Sequence, residues 1–215
     1  MHENSLRFNT PKEWYGNFNY NIHFFGIINL IKDLKWKFEM DDVSQRGSGY
    51  NKLTKLYRKP RKMIEIGSYK GESTLLFAAS GIFDEIHCID PHDGYEEAND
   101  MFGNTWDGVY SDFKHNTSQF GNLITHHRDY SYNVVNRFNP QDFDFVYIDG
   151  AHDYDSVMQD LSNYSSKTNS IIGGHDYMTN SDVTRAVNDY FGKPNRHYED
   201  GSWMVYKKRG KYYSL

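Results

Sequence analysis

From residue 62 onward the chain alternates short apolar runs with longer stretches of helical periodicity, and this alternation limits the possible folds more than any other feature. Successive strands that run in the same direction need a crossover, which a helix normally supplies, so the pattern dictates a parallel sheet covered by helices. The spacing predicts strands at 63–66, 85–89, 123–126, 143–148 and 170–173. Helices are expected at 72–80, near 109–120, at 153–163 and at 182–191, with a shorter connection near 132–138. At the end of the chain, Tyr198 and the run 203–206 flank Asp200-Gly201, a pair suited to the positive φ angles of a tight hairpin turn. The expected fold is α/β: a doubly wound sheet of seven strands that ends in an antiparallel hairpin.

The first 60 residues read differently. Phe24, Ile27, Ile28, Ile31, Leu34 and Phe38 recur at three- and four-residue steps, the signature of an amphipathic helix. Gly47-Ser48-Gly49 breaks the pattern, and a shorter helical run at Leu53, Leu56 and Tyr57 ends at Pro60. Residues 1–60 are therefore expected to form an N-terminal helical extension, placed over the ligand side or at a dimer contact, with 61–215 as the principal domain. The stretch 91–106 is too long for an ordinary strand-to-helix loop and reads as a lid or as disorder.

Composition excludes several classes. Only 38% of residues are hydrophobic, but the 17% that are aromatic bury large areas and argue against global disorder. A net charge of −5 offers no general field for a polyanion, so nucleic acid is not the expected partner. The basic runs Lys52 to Lys62 and Lys207 to Lys211 read as solvated faces. Cys88 stands alone, cannot form an internal disulfide, and reads as a buried strand residue of a reducing compartment. The opening Met1-His2-Glu3-Asn4 has no basic start, and the apolar patch 24–30 is too short to span a bilayer. A soluble, cytoplasmic protein is expected.

The string Glu65-Ile66-Gly67-Ser68-Tyr69-Lys70-Gly71-Glu72-Ser73 follows the first strand and opens a helix, where backbone N–H groups of an α/β sheet meet a ligand. A dinucleotide fingerprint needs glycines at alternate positions and a third beyond them, whereas here three residues separate the only two. The spacing favours another nucleotide-like cofactor. Asp90, 19 residues after Gly71 at the end of the second strand, is placed to accept ribose hydroxyl protons.

Two further motifs lie at strand ends: Tyr147-Ile148-Asp149-Gly150-Ala151-His152-Asp153-Tyr154 and Gly173-Gly174-His175-Asp176-Tyr177. In an open parallel sheet that edge binds ligands, so Asp149, His152, His175 and Asp176 should converge. Asp149, His175 and Asp176 offer oxygen and imidazole ligands to a divalent cation, with magnesium as the first expectation. His152 is suited to general-base chemistry.

These motifs resemble the class I S-adenosylmethionine-dependent methyltransferases, whose first motif is an acid, a glycine, three variable residues and a second glycine. The similarity covers about residues 62–207 and implies a Rossmann-like fold. It implies that Glu65, Gly67, Ser68, Gly71, Ser73, Asp90, Asp129 and Asp149 surround S-adenosylmethionine, with Glu65 near its amino group and Asp90 on its ribose. More narrowly, the chain resembles the macrocin-type small-molecule O-methyltransferases, in which an Asp after the fourth strand and an acidic pair after the fifth hold magnesium. A His three residues past that Asp is their base, and His152 stands there. His175 departs from the pattern, since an acid is often found at its position, and an imidazole ligand shifts preference toward manganese or iron. The resemblance implies an O-methyltransferase that acts on a sugar, a glycan or another small molecule. Trp14, Tyr15, Phe18, Tyr20, Tyr95 and Trp106 are candidates for an acceptor pocket, for core or for packing in a homo-oligomer. Three rivals stay open: an RNA methyltransferase, a noncatalytic cofactor-binding domain and an NAD-dependent oxidoreductase.

Overall fold

The computed structural model describes residues 25–46, 60–93, 103–208 and 211–213. Five parallel strands form the sheet: β1 (Lys62–Ile66), β2 (Glu85–Ile89), β3 (Ile124–His127), β4 (Phe143–Ile148) and β5 (Thr168–Gly174). Three antiparallel strands complete it: β6 (Arg196–His197), β7 (Trp203–Lys208) and β8 (Lys211–Tyr213). The order is β3-β2-β1-β4-β5-β7-β6, with β8 paired to β7. The strand order reverses direction of growth at β1 and β4, so the crevice that binds ligands in such folds opens between their carboxyl ends.

The eighth strand is an addition to the seven expected. β6 pairs only with Trp203 and Met204, which leaves the far half of β7 free to pair with β8 through Tyr206, Lys207 and Lys208. The hairpin itself turns where Asp200-Gly201 predicted it: Gly201 has φ 92°, and its N–H donates to the Tyr198 carbonyl at 3.0 Å.

The helices are α1 (Phe25–Arg46), α2 (Glu72–Ala79), α3 (Trp106–Thr117), α4 (Ser131–Val134), α5 (Tyr154–Tyr164) and α6 (Ser181–Phe191). The third connection is a single helical turn followed by a 3-10 turn at Val135–Arg137, which is why it carried so weak a periodic signal. Two cores flank the sheet. On one face Ile27, Leu30, Ile31, Leu34 and Phe38 of α1 pack with Phe77, Phe83, Phe113, Phe145 and Tyr147. On the other, Val157, Leu161 and Tyr164 of α5 and Val183, Ala186 and Val187 of α6 pack against Ile64, Val146, Ile148 and Ile172. Adjacent β4 residues thus feed opposite cores, as expected of a central strand buried on both sides. Each fully buried side chain of this size contributes roughly 1.5 to 3 kcal/mol.

No helix among the described residues is long and apolar enough to cross a membrane. The short helical run at 53–57, most of the first basic run, the 94–102 part of the expected lid, and Trp14, Tyr15, Phe18, Tyr20 and Tyr95 lie outside the described residues. Described members of the basic runs are engaged locally: Arg61 pairs with Asp42 and stacks on Phe38, and Lys207 donates to the Thr168 carbonyl. Trp106 is partly buried as the first residue of α3, which Thr105 caps by accepting from the Gly108 N–H.

Candidate active site

The loop between β1 and α2 is built by two left-handed glycines. Gly67 has φ 81° and donates to the Ile89 carbonyl at 2.9 Å, and Gly71 has φ 82° at the N-cap of α2. A side chain on Gly67 would overlap the Asp149 carbonyl oxygen and approach Gly150 Cα to 2.7 Å. The loop and the end of β4 therefore touch through backbone alone. Ser68 is buried here, and among the described residues its Oγ has no hydrogen-bond partner, an open polar group of the kind a ligand satisfies.

Asp90 sits across this loop. Its Oδ2 accepts from the Tyr69 N–H and its Oδ1 from the His92 N–H, both at 2.8 Å. A carboxylate offers about four lone-pair sites, so two backbone donors fix its orientation and still leave room for ribose hydroxyls. Asp129 lies farther along the edge, at the start of α4, where it accepts from the Tyr130 N–H, Asn133 and Arg137. Asn133, with help from the Tyr130 N–H and Arg137, holds the Asp129 carboxyl below the usual range.

Glu65 stands in β1, two residues before Gly67. It is fully buried on the α2 side of β1, where it accepts from Ser73 Oγ at 2.6 Å, from Thr74 Oγ1, and from the Cys88 thiol at 3.4 Å. Ser73 and Glu65 are thus partners of one another, and Cys88 is the buried strand residue expected. Burial pushes the Glu65 carboxyl up to about 7 against the opposing effect of its hydroxyl donors. Because the folded value exceeds the ordinary 4.5, the contribution of Glu65 to stability is complete below about pH 4.5 and is lost as pH rises through 7. Glu65→Gln removes this titration. Denaturant titrations at pH 5 and pH 8 should show the variant gaining roughly 2 to 3 kcal/mol on the wild type across that interval. Parallel pH profiles for the two proteins would refute the assignment.

The strand-end motifs converge as their spacing predicted. His152 Nε2 lies 3.1 Å from Asp176 Oδ2 and 3.6 Å from Asp149 Oδ1. His175 Nδ1 lies 3.4 Å from Asp176 Oδ2. Asp149, His175 and Asp176 each present one ligand atom within 4.8 Å of the others. Asp176 adopts φ 62°, a left-handed conformation that a non-glycine residue rarely holds without support. Thr179 supplies some of that support by donating to Asp176 Oδ1 at 3.0 Å. Asp149 first, then Asp176, raises the His152 pKa despite partial burial. Burial opposes protonation of His175, but Asp176, Asp149 and Asp200 outweigh it and bring its value up to about 8. Burial acts to raise the Asp176 carboxyl, yet the two imidazoles hold it below the usual range.

One residue of this neighbourhood was read from the sequence only as a turn former. Asp200 is buried, and its Oδ2 stands 4.0 Å from His175 Nε2. Its local sequence does not signal this, because beside the Ser202 N–H its carboxylate meets Ile27 of α1, at the far end of the chain.

Taken together, the glycine loop, the backbone-clamped Asp90 carboxylate, and a cluster of two imidazoles and two carboxylates lie at the carboxyl ends of the parallel strands. That edge can hold a nucleoside ligand beside a base and a cation. No curated protein matches the chain. Among solved structures it is similar to monomeric WbdD, at 12% identity and TM-score 0.51, with 92% of this chain and 44% of that one covered. It is also similar to an O-methyltransferase from Bacillus cereus in complex with SAH, at 12% identity and TM-score 0.47, covering 80% and 87%. A third similarity is to the O-methyltransferase TomG from Streptomyces achromogenes in complex with SAM, at 13% identity and TM-score 0.46, covering 83% and 86%. The chain spans less than half of WbdD, and at these identities the likeness concerns the fold alone. The sequence profile of a family described as "Methyltransferase domain" matches residues 64–177, more than half of the chain and the span that carries both the glycine loop and the strand-end cluster. The chain therefore belongs to this methyltransferase-domain family and has the class I S-adenosylmethionine-dependent methyltransferase fold.

Proposed function

We propose that the chain moves a methyl group from S-adenosylmethionine to a hydroxyl of a sugar or other small molecule, with His152 as general base and a divalent cation at Asp149, His175 and Asp176. The observation that carries this reading is the contact of Gly67 with Asp149, which makes the cofactor loop contiguous with the imidazole and carboxylate cluster. Gly67, Ser68, Gly71, Asp90, Asp129 and Asp149 are the residues on hand to hold the donor. The unpartnered Ser68 hydroxyl and the backbone-clamped Asp90 fit a polar, ribose-bearing ligand.

When bound, the donor supplies an electrophilic sulfonium methyl, and a divalent cation lowers the pKa of a coordinated hydroxyl. The protein's own part is alignment and deprotonation. His152 is suited to the second because its side chain is 47% exposed and reaches an incoming acceptor, while Asp176 and Asp149 stabilise the imidazolium it becomes. His175 is more enclosed, at 17% exposure, which suits a ligand better than a shuttle. An open cleft of about 620 Å³ lies at the start of α6, lined by Met178, Thr179, Asn180, Thr184, Arg185 and Asn188 among others, with Thr179 also bonded to Asp176 of the cluster.

The test is transfer of labelled methyl from S-adenosylmethionine to a panel of free and nucleotide-linked sugars, phenols and RNA, with and without chelator. The expected result is ether formation on a hydroxylated small molecule that falls at least tenfold after chelation and returns with added Mg2+ or Mn2+. Transfer to RNA alone, weakening steeply with salt, would replace this reading with a nucleic-acid one.

A further inference from the structure

We propose that Asp200 is a positioning residue: it holds His175 with Nδ1 toward the cation and Nε2 away from it, and so ties the docking of α1 to the assembly of the metal site. The inference rests on the metal reading above and goes beyond it by assigning a role to a carboxylate outside the ligand set.

Asp200 occupies the turn between β6 and β7, where an Asp-Gly pair needs no buried charge. Here its carboxylate has no exposed surface. Burying a carboxylate is costly unless donors meet it, and two backbone N–H groups do. Ser202 donates to Oδ1 at 2.8 Å, and Ile27, in the first turn of α1, donates to Oδ2 at 2.9 Å. The second donor comes from 173 residues away. It lies at the positive end of the helix dipole, which favours an anion. Gly26 makes the approach possible, because any side chain there would overlap the carboxylate.

The same Oδ2 faces His175. That residue's backbone is pinned on both sides: its N–H donates to the Ile148 carbonyl and its carbonyl accepts from Trp203 Nε1, each at 3.1 Å. What remains free is the ring, and carboxylates bracket it. Nδ1 is 3.4 Å from Asp176 Oδ2, on the side of the ligand cluster, and Nε2 is 4.0 Å from Asp200 Oδ2, on the side of α1. The latter distance lies within ion-pair range and beyond hydrogen-bond reach. A metal-bound imidazole almost always presents its second N–H to a carboxylate or carbonyl, which fixes the tautomer and strengthens the ligand. Asp200 is the carboxylate on that side. The competing account makes Asp200 only a cap that secures α1, in which case its loss destabilises the fold but leaves metal affinity in the folded protein unchanged.

The full chain is titrated with Mn2+ by calorimetry, and binding of S-adenosylhomocysteine is measured in the same preparations. Asp200→Asn should weaken Mn2+ binding by about 10- to 100-fold while S-adenosylhomocysteine affinity stays within about threefold, and His175→Ala should abolish the Mn2+ signal. Retention of Mn2+ affinity by Asp200→Asn, alongside its loss in His175→Ala, overturns the proposal, and so does a wild type that binds S-adenosylhomocysteine but no Mn2+. Absence of S-adenosylhomocysteine binding by the wild type overturns the methyltransferase reading instead. A second measurement needs no variant: in the Zn2+-loaded wild type, long-range proton–nitrogen correlation spectra of 15N-histidine protein should show His175 metallated at Nδ1 with a proton on Nε2. Metallation at Nε2 refutes the assignment.

Discussion

Replacing His152 with alanine should lower kcat by roughly 10²- to 10⁴-fold while leaving S-adenosylhomocysteine affinity within about threefold of the wild type. The separation of the two effects follows from position. His152 stands beyond β4 at the start of the segment that leads into α5, half exposed, and its Nε2 is directed at Asp176 and Asp149. The described groups around the glycine loop and Asp90 do not use it. Removing the imidazole therefore takes away a proton acceptor and leaves the hydrogen bonds of the glycine loop and Asp90 in place, Asp149 being the one proposed donor-holding residue that loses a neighbour. Steady-state kinetics at saturating donor, with calorimetry on the same preparation, check both halves. A parallel loss of cofactor affinity would make His152 a wall of the cleft, and unchanged turnover would place the base elsewhere.

How much of this was legible beforehand depends on the range of the interactions. β2 and β4 were bounded to the residue because β2 alternates buried Ile86 and Cys88 with polar Glu85 and His87 and β4 is a mostly apolar run, each closed by a polar or glycine-containing loop. β5 starts two residues before its expected onset. Thr168 and Asn169 lack the apolar signature, yet the Gln141 and Phe143 N–H groups bond carbonyls at Ser166 and Lys167, which leads the chain into pairing early. α1 runs on to Arg46, past Phe38, the last residue of its apolar stripe, through a polar turn where Lys37 pairs with Asp41. The convergence of Asp149, His152, His175 and Asp176 was also readable, because it needs only that β4 and β5 be adjacent and parallel.

The side-chain directions were not readable in this way. Period-two alternation shows that Glu65 shares a face with Met63, but it does not reveal that Ser73, Thr74 and Cys88 meet its carboxylate there. The motif position of an acid and its orientation are separate facts, and here three donors on the α2 side decide the second. Asp200 is the more distant case. Its turn chemistry was visible, whereas its burial depends on a helix start 173 residues earlier and on a glycine there, which no local pattern connects. Such contacts are set by the assembled fold rather than by any local pattern.

Gly67→Ala should cost more than any other single methyl group in the loop: loss of measurable S-adenosylhomocysteine binding and destabilisation of about 2 kcal/mol or more. Two penalties coincide. The backbone at φ 81° disfavours a residue with Cβ by about 1 kcal/mol or more, and the new atom falls on the carbonyl of Asp149 with Gly150 Cα at 2.7 Å. Those are backbone atoms of the β4 edge, so no rotamer change relieves the overlap. The loop or the strand end must shift, and either movement displaces Ser68 or Asp149 from the cleft. Gly71→Ala is the control, since it shares the left-handed φ but meets only side-chain atoms, Thr117 Cγ2 at 3.0 Å and Phe113 Cδ2 at 3.1 Å. Side chains can give way by a few tenths of an ångström where backbone cannot. Thermal melts and calorimetry on both variants should therefore rank Gly67→Ala as clearly the worse in stability and in ligand binding. Equal losses would mean that left-handed strain alone governs the loop, and that the contact between the glycine turn and Asp149 is not what holds the two halves of the site together.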